Sequence, residues 1–327
     1  MKASVVIPNY NGERYLEACL KSLMRQDETD FEVIVVDDGS SDGAAKKAQE
    51  RFPDVHFIFH EENRGFAAAV NTGIAAAKAD AVILLNNDTV AGRHFVGTLV
   101  RELYRRPDIF SVSACMLDMQ HPERVDDAGD SFSTLGWAYS PARDRPAAEF
   151  KRRRDIFSAC AGAAVYRKDV LLKLGAFDER HFAYLEDVDL GFRAQWSGWR
   201  SVYAPRAKVL HAGSGSSGSR YNPFKLRLTV RNQVYLVYKN MPLWMLIFNR
   251  NYLLLGWLIK LAYFAKKGMG KDYLKATGEG FRLCREGKLR RVDFKKVPFR
   301  RQLLMEKKLL AGSVQRFLFR RQDLTNV

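Results

Sequence analysis

The sequence predicts an α/β fold with a mostly parallel mixed sheet, followed by a helical and strongly basic C-terminal region. Short apolar runs alternate with segments of helical spacing through the first 90 residues, which is typical of βαβ units around a parallel sheet. A Gly/Ser-rich stretch at 211–219 ends this pattern and predicts a flexible segment that closes the first domain. We therefore predict two regions, residues 1–218 and residues 219–327.

The composition indicates a folded chain with an uneven charge. Its 327 residues are 47% hydrophobic, which is sufficient for a core and excludes disorder as the default. Residues 201–327 hold 27 Lys and Arg against 6 Asp and Glu, so the first 200 residues carry −5 of the total of +16. The basic region predicts a polyanionic partner, either an anionic membrane surface or a nucleic acid. The four cysteines form no C-x-x-C pair, which fits a reducing cytoplasm.

The first elements follow one another at regular intervals. Lys2 is followed at once by the strand-like run Ala3–Ile7, so we expect no signal peptide and a cytoplasmic domain that starts here. Three leucines at helical spacing predict a helix over Tyr15–Arg25. The same rhythm predicts, in order, the strand Glu32–Val36, the helix Ala44–Arg51, the strand Val55–Phe59, the helix Gly65–Ala77 and the strand Ala81–Leu85.

The middle of the chain is less regular. Residues 129–154 contain Gly, Pro and Arg and are weakly periodic, so we predict a long, mobile loop over the active face on the acceptor side. Apolar structure returns at Phe157–Val165, and a helix from Lys168 precedes the densest cluster of acidic residues.

Two predicted strands end at carboxylates. Asp37 and Asp38 follow the second strand, and Asn86-Asn87-Asp88 follows the fourth. Ligands of open α/β sheets bind beyond the carboxyl ends of the strands, so Asp38 is a candidate contact to a nucleobase or ribose, with Asp37 supporting the turn. Asp88 is a candidate ligand of Mg²⁺ or Mn²⁺ on a diphosphate, because such ions take only one or two protein carboxylates. The alternative for the first motif is an ordinary start of a helix or turn, and the alternative for the second is an Asx turn after a buried strand.

A third acidic cluster contains Glu186, Asp187 and Asp189. Carboxylates this close repel one another, which favours a functional role. On a helix, Asp189 faces Arg193 at i+4 and predicts a structural ion pair, whereas Asp187 points about 160° away from Asp189. Asp187 is therefore the candidate general base. His211, at a predicted strand end, is a candidate metal ligand or, alternatively, a packed or surface residue.

The C-terminal segment Met241–Lys267 is rich in Trp, Tyr, Leu and Ile. Polar residues at 249–251 and Lys260 interrupt it, so no run approaches the roughly 20 apolar residues of a spanning helix. We predict an amphipathic helix that lies in the membrane interface. The alternative is a pair of helices packed on the catalytic domain.

These motifs together resemble the family 2 glycosyltransferases of GT-A fold, in particular the bacterial branch that contains rhamnosyltransferase-like enzymes. The likeness covers residues 1 to about 218 and runs through 5–12, 35–43, 63–67 with Asn71, 85–88, 175–179, 186–189 and His211. The family's Asp-x-Asp motif begins with Asn86 here, so its first carboxylate is missing.

The resemblance implies a role for each matching residue. Pro8 and Tyr10 would line the base pocket, and Asp38 would read a uracil or thymine ring. The implied donor-binding residues are Pro8, Tyr10, Asp38, Arg64, Asn71 and Asn87. Asp88 and His211 would hold Mg²⁺ or Mn²⁺, and Asp187 would be the general base. Asp37, Glu186 and Asp189 would support the site.

The resemblance also implies an activity. The enzyme would transfer a sugar such as rhamnose, with inversion, from a UDP- or dTDP-linked donor to a saccharide acceptor on a polyprenyl diphosphate. It would act in cell-wall or surface-polysaccharide synthesis, at the cytoplasmic face of the inner membrane as a peripheral protein, with no nucleic-acid partner.

Two other classes are weighed against the transferase. The basic region allows a non-catalytic nucleic-acid-binding or membrane-binding protein, although no nucleic-acid fold signature is present. A nucleotidyltransferase shares the acidic strand ends, but the Gly-rich, Lys-containing loop expected near its N-terminus is absent from this sequence.

Overall fold

A computed structural model describes residues 1–213, 222–288 and 291–318. Most of the predicted Gly/Ser-rich segment, at 214–219, and the predicted boundary at residue 218 lie outside the described residues. His211 itself is the last residue of a strand.

Strands and helices alternate through the first half of the chain. The described elements after residue 222 are all helices. The strands are β1 (Ala3–Asn9), β2 (Phe31–Asp37), β3 (His56–Phe59), β4 (Ala81–Leu85), β5 (Thr89–Ala91), β6 (Ile109–Asp118), β7 (Val125–Asp127), β8 (Ser131–Phe132), β9 (Ala138–Tyr139), β10 (Arg154–Ile156), β11 (Ala163–Arg167) and β12 (Arg200–His211). The helices are α1 (Leu16–Leu23), α2 (Ala44–Arg51), α3 (Phe66–Ala76), α4 (Phe95–Leu103), α5 (Lys168–Lys173), α6 (Glu186–Trp196), α7 (Pro223–Asn240), α8 (Leu243–Phe248), α9 (Arg250–Lys266), α10 (Gly270–Glu286) and α11 (Phe299–Leu318).

One large mixed sheet organises the first half, in the order β10-β12-β6-β11-β4-β1-β2-β3. Strand β1 is parallel to β2 and β4, and β3 continues the parallel half. Strand β11 lies antiparallel between β4 and β6, and β6 is parallel to β12. The predicted mixed sheet is confirmed. It is not mostly parallel, because β5 and β7 add antiparallel pairs with β12 and β6, and four of the nine strand pairs in this sheet are parallel.

Helices cover both faces of this sheet. Every residue of Ala81–Leu85 is buried, which is typical of a strand enclosed on both sides. Alternate residues of β1 face opposite layers: Val5 packs with α1, α2 and α4, whereas Val6 packs with α3, α5 and α6. The uninterrupted apolar runs in the sequence therefore correspond to central strands.

The prediction of a mobile loop over 129–154 is wrong. This segment contains the hairpin of β8 and β9, and its turn is fastened to α11, because the Thr134 amide donates to Ser313 Oγ over 2.9 Å. Phe132 of the hairpin is buried among residues of α6, α7 and α11. The strands are too short to show periodicity, and their packing partner lies almost 180 residues away in the sequence.

The segment 241–267 forms two helices, α8 and α9. Asn249 between them is buried and donates to both carboxylate oxygens of Glu306 in α11. Gly256 of α9 packs closely on Leu135 and Trp137 of the hairpin. One side of the pair therefore packs on the catalytic half, which is the alternative considered above, while other apolar side chains of both helices are exposed. Among the described residues, every helix is too short or too polar to cross a bilayer.

Candidate active site

The amide of Asn9 joins three strand ends at the carboxyl edge of the sheet. Asn9 Nδ2 donates to Asp37 Oδ2 over 2.7 Å, and Asn9 Oδ1 accepts from Asn87 Nδ2 over 2.7 Å. Asp37 Oδ1 also accepts the backbone amide of Ser40, so Asp37 supports the turn as predicted. Because β1, β2 and β4 are parallel neighbours, residues far apart in the sequence meet at this edge. Asn87, a predicted donor contact, is buried and orients Asn9.

Asp38 fastens the loop between β3 and α3 to the end of β2. Its Oδ1 accepts the amide of Arg64 at 3.0 Å and lies 2.7 Å from His60 Nδ1. Its Oδ2 accepts the amide of Gly65 at 2.8 Å. The contact of Asp38 to a nucleobase remains a prediction.

The other predicted donor residues surround this edge. Pro8 lies in β1 beside Val36, and Tyr10 directly after the strand is 42% exposed. The Arg64 side chain is 50% exposed, and its Nη2 is 3.9 Å from Glu179 Oε2; its approach to the donor phosphates remains a prediction.

Asn71 serves the protein itself. Its Nδ2 donates to the carbonyl of Phe177 and to Glu179, and its Oδ1 accepts the amide of Phe177. It therefore holds the loop before α6 against α3. The predicted contact of Asn71 to the donor stays a prediction.

His211 lies between two carboxylates. Its Nε2 is 3.2 Å from Asp88 Oδ1, and its Nδ1 is 2.6 Å from Asp126 Oδ2. The pairing of β5 with β12, with His211 opposite Thr89, brings the end of β12 beside Asp88. Burial alone would lower the pKa of His211, but the hydrogen bonds to Asp126 and Asp88 raise it to about 10. A proton on the imidazole therefore balances both carboxylates in the ligand-free chain.

Asp88 and His211 fit a divalent metal. Asp88 Oδ1 and His211 Nε2 are 3.2 Å apart. Two adjacent ligand atoms of an octahedrally coordinated ion, with metal–ligand bonds of roughly 2.1 Å, have about this separation. A carboxylate oxygen and an imidazole nitrogen both suit Mg²⁺ or Mn²⁺, and phosphate oxygens and water usually complete such sites.

The loop before α6 has an unusual backbone. Phe182, Tyr184 and Leu185 have φ angles of 62°, 73° and 68°, a region that non-glycine residues rarely adopt and that is often found at functional sites. Asn232 of α7 donates from Nδ2 to the carbonyls of His181, Ala183 and Tyr184, each over 2.8 Å. Helix α7 therefore holds the loop that precedes α6 and Asp187.

Asp187 occupies the first turn of α6 and is partly exposed. Its Oδ2 accepts the amide of Ala161, which lies beside the end of β4 because the Asn86 amide donates to the Gly162 carbonyl. Burial, together with the charge of Asp127, raises the pKa of Asp187 to about 6. This carboxyl is thus ionised at neutral pH and is more basic than an ordinary aspartate.

Glu186 differs from its neighbour. It is buried, its Oε2 has no hydrogen-bond partner within the described parts of the chain, and burial and the Asp187 charge raise its pKa well above the ordinary value. Burial therefore favours the neutral form of Glu186, and Asp187 is the better candidate for the proton acceptor of the pair.

Asp189 belongs to a buried ion network. The predicted pair with Arg193 is present, with Arg193 Nε 2.8 Å from Asp189 Oδ2. Lys239 Nζ of α7 lies 2.9 Å from Asp189 and 2.7 Å from Asp178. Asp178, Asp189 and His181 are close enough to hold a metal ion. However, the ammonium group of Lys239 already supplies the positive charge there, and the cluster joins α6 to α7.

Sequence reasoning missed a fourth acidic group, at Asp126, Asp127 and Asp130. Asp127 and Asp130 are close enough to Asp187 to influence it, since the charge of Asp127 raises the pKa of Asp187 and Asp187 raises that of Asp130. The stretch Val125-Asp-Asp-Ala-Gly-Asp carries the same Asp-Asp signal as the turn after β2, and it was the available clue.

The mixed sheet and the acidic rim at its carboxyl edge define the protein as an α/β transferase of GT-A type. Residues 4–175, more than half of the chain, match the family model described as "Glycosyl transferase family 2". The chain belongs to this family and is a glycosyltransferase.

Relatives and solved structures agree with this assignment. The chain is 31% identical over 243 residues to an N-acetylglucosaminyl-diphospho-decaprenol L-rhamnosyltransferase of Mycobacterium tuberculosis, with 65% of this chain and 77% of that protein covered. GalNAc-T7 with UDP, GalNAc and Mn²⁺ has a TM-score of 0.59 at 15% identity, covering 72% of this chain and 47% of its own. A mannosyltransferase of Pyrobaculum calidifontis in complex with GDP-Man and Mn²⁺ has a TM-score of 0.53 at 20% identity, covering 98% and 88%. These two structures support the fold.

Proposed function

We propose that this enzyme transfers a sugar, with rhamnose the first candidate, from a dTDP- or UDP-linked donor to a saccharide on a polyprenyl diphosphate. The product would enter cell-wall or surface-polysaccharide synthesis. The mycobacterial relative, named as a rhamnosyltransferase acting on a decaprenol-linked N-acetylglucosamine, supports the acceptor class. The observation that carries the proposal is that the Asp88–His211 pair and Asp187 lie at one edge of the sheet.

The donor would bind across the ends of β1, β2 and β4. Pro8, Tyr10 and Asp38 would surround the base, and Arg64 would turn from Glu179 toward the phosphates. Asp88 and His211 would hold Mg²⁺ or Mn²⁺, which when bound stabilises negative charge on the departing nucleoside diphosphate.

The chemistry is a single displacement with inversion. Asp187 takes the proton of the acceptor hydroxyl while that oxygen bonds to the anomeric carbon. The bond from this carbon to the diphosphate oxygen breaks, and the electron pair leaves with the nucleoside diphosphate. The raised pKa of Asp187 makes it a better base than an ordinary aspartate and leaves it ionised at pH 7.

The enzyme would act as a peripheral protein on the cytoplasmic face of the inner membrane. Helices α8 and α9 expose large apolar side chains, namely Leu243, Ile247, Phe248, Tyr252, Leu254, Leu255 and Leu258. Exposed basic residues such as Arg250 and Lys266 flank them. An anionic bilayer suits this combination, because apolar groups enter the acyl boundary while cations meet the headgroups.

A donor and acceptor panel tests the transferase proposal. Purified enzyme is incubated with dTDP-rhamnose, UDP-sugars and GDP-sugars, and with a synthetic polyprenyl-diphosphate N-acetylglucosamine, and products are identified by mass spectrometry and by NMR of the anomeric proton. We expect transfer from one dTDP- or UDP-sugar with inverted configuration. A retained configuration, or transfer from a GDP-sugar alone, would contradict the proposal.

Vesicle flotation tests the location. The protein should float with vesicles that contain phosphatidylglycerol and remain at the bottom with neutral vesicles at 0.15 M salt. A nucleic-acid shift assay runs beside it. Binding to RNA or DNA without binding to anionic vesicles would favour the nucleic-acid alternative and overturn this part of the proposal.

A further inference from the structure

We infer that Asp126 is a positioning residue that fixes the imidazole of His211 so that its Nε2 atom faces Asp88 and the metal. This inference rests on the proposed role of Asp88 and His211 as metal ligands. Asp126 itself contacts neither the metal nor the reacting sugar in this assignment. Its contribution is the orientation of a ligand.

The backbone of β7 directs Asp126 toward the site. In the antiparallel pairing of β7 with β6, Asp127 lies opposite Met116 and Val125 lies opposite Leu117. Asp126 is therefore the extra residue of a β-bulge. Bulges change the direction of a side chain and are frequent beside active sites. The neighbouring strand β12 places His211 opposite Asp118, the last residue of β6, so the bulge and His211 meet at the same end of the sheet.

The two oxygens of Asp126 have separate partners. Oδ2 is 2.6 Å from His211 Nδ1, and Oδ1 is 3.6 Å from Nη2 of Arg143. The side chains of Asp126 and His211 are 15% and 13% exposed, so water competes little for this hydrogen bond. Arg143 therefore attracts the carboxylate oxygen that does not contact His211.

This geometry selects one tautomer of the neutral imidazole, which is the charge state of a metal-bound histidine. A carboxylate only accepts hydrogen bonds, so Nδ1 of His211 must carry a proton to donate to Asp126. In neutral histidine the other nitrogen, Nε2, then presents its lone pair, and Nε2 is the atom that faces Asp88. Metal-bound histidines commonly donate their second N–H to a carboxylate, and removal of that partner weakens metal affinity about 10- to 100-fold.

Metal affinity tests the inference directly. Mn²⁺ is titrated into the wild-type protein and into Asp126→Ala and Asp126→Asn in the presence of saturating UDP or dTDP, with binding followed by electron paramagnetic resonance of free Mn²⁺. We expect a 10- to 100-fold weaker affinity for Asp126→Ala and a smaller loss for Asp126→Asn, which keeps an acceptor oxygen. Where Asp126→Ala fails to fold, the result for Asp126→Asn decides.

Kinetics separate positioning from general damage. For both variants the Mn²⁺ concentration at half-maximal activity should rise in parallel with the loss of affinity, while kcat at saturating Mn²⁺ stays within about threefold of wild type. Damage to the fold would lower kcat without rescue by metal. The matched control is Asp169→Ala, which breaks an exposed Asp169–Lys173 pair within α5 and should leave Mn²⁺ affinity unchanged.

His211→Ala distinguishes failure of the inference from failure of the proposed function. If His211→Ala loses Mn²⁺ affinity while the folded Asp126 variants bind within twofold of wild type, the role of Asp126 is wrong and the proposed metal site stands. If His211→Ala also binds Mn²⁺ as wild type does, the proposed role of His211 is wrong and the inference falls with it.

Discussion

The side-chain amide of Asn232 donates a hydrogen bond to the backbone carbonyl of Tyr184 over 2.8 Å, three residues before the candidate base. The same nitrogen reaches the carbonyls of His181 and Ala183. A helix of the C-terminal region thus holds a catalytic-half loop whose backbone is strained. The loop lies in the first of the two regions that the sequence predicts, and a helix of the second region holds it in place.

Asn232→Ala should lower both activity and stability. The substitution leaves buried carbonyls without their donor, at a cost of about 1–3 kcal/mol, and the strained loop is then free to relax away from the position that orients Asp187. Urea unfolding and kcat report the two effects. Asn251→Ala, on the exposed side of α9, is the control and should change stability by less than about 0.5 kcal/mol. An Asn232→Ala enzyme with wild-type kcat would show that the clamp does not position the base.

Asp187→Asn should reduce kcat by about 10²- to 10⁴-fold while donor binding persists, because a general base contributes about that factor. Glu186→Gln is the matched control. Glu186 is buried with a pKa raised by burial and by Asp187, so an amide resembles its neutral form and kcat should fall far less. Turnover by single-turnover kinetics and donor affinity by calorimetry provide the measurements. Wild-type turnover in Asp187→Asn would exclude it as the base.

The pH profile should have an acidic limb near pH 6. Burial raises the pKa of Asp187 to about 6, and a base acts in its ionised form, so kcat/KM should fall about tenfold for each pH unit below that value. Asp127→Asn removes a negative charge that contributes to this raised pKa, so the limb should move to lower pH by on the order of one unit. An unchanged limb in Asp127→Asn would mean that another group titrates.

Lys239→Met should destabilise the protein by about 3–5 kcal/mol, because it leaves the buried carboxylates of Asp178 and Asp189 without their cationic partner. Burial alone would raise the pKa values of Asp178 and Asp189, but the charge of Lys239 lowers them. For such depressed pKa values the stabilisation is present above the unfolded value of about 3.9 and is lost as pH falls below it. The stability difference between variant and wild type should therefore be full at pH 7 and shrink near pH 3. Lys271→Met, at an exposed site on α10, is the control for urea unfolding.

Replacement of Leu254, Leu255 and Leu258 by serine should weaken flotation with anionic vesicles without loss of transfer to a short-chain, soluble acceptor. These side chains are exposed on α9, and each buried leucine contributes about 1.5–3 kcal/mol to association with an apolar phase. Leu172→Ser removes an exposed leucine of the catalytic half and should float as wild type does. Equal flotation of the triple variant would place the membrane contact elsewhere.

The sequence predicted the features that depend on the composition of one segment or on residues a few positions apart. The runs of β1, β2 and β4 are buried on both faces, so their apolar composition was unambiguous, and Asp189 pairs with Arg193 within one helix. The hairpin of β8 and β9 was missed because α11 buries it. Asp126 was missed although it stands in an Asp-Asp pair, because only the bulge in β7 directs its side chain toward His211. The chain order of the acidic motifs indicated the edge where they meet, but it contained no information on Asn9, whose amide links Asp37 to Asn87.

The attachment of Asp38 to the amides of Arg64 and Gly65 has a thermodynamic consequence for nucleotide capture. The loop that contains Arg64 and Gly65 is already held in the ligand-free chain, so a nucleotide bound in the proposed way would order little additional backbone here. Association then loses less conformational entropy, and more of the contact energy is available as affinity.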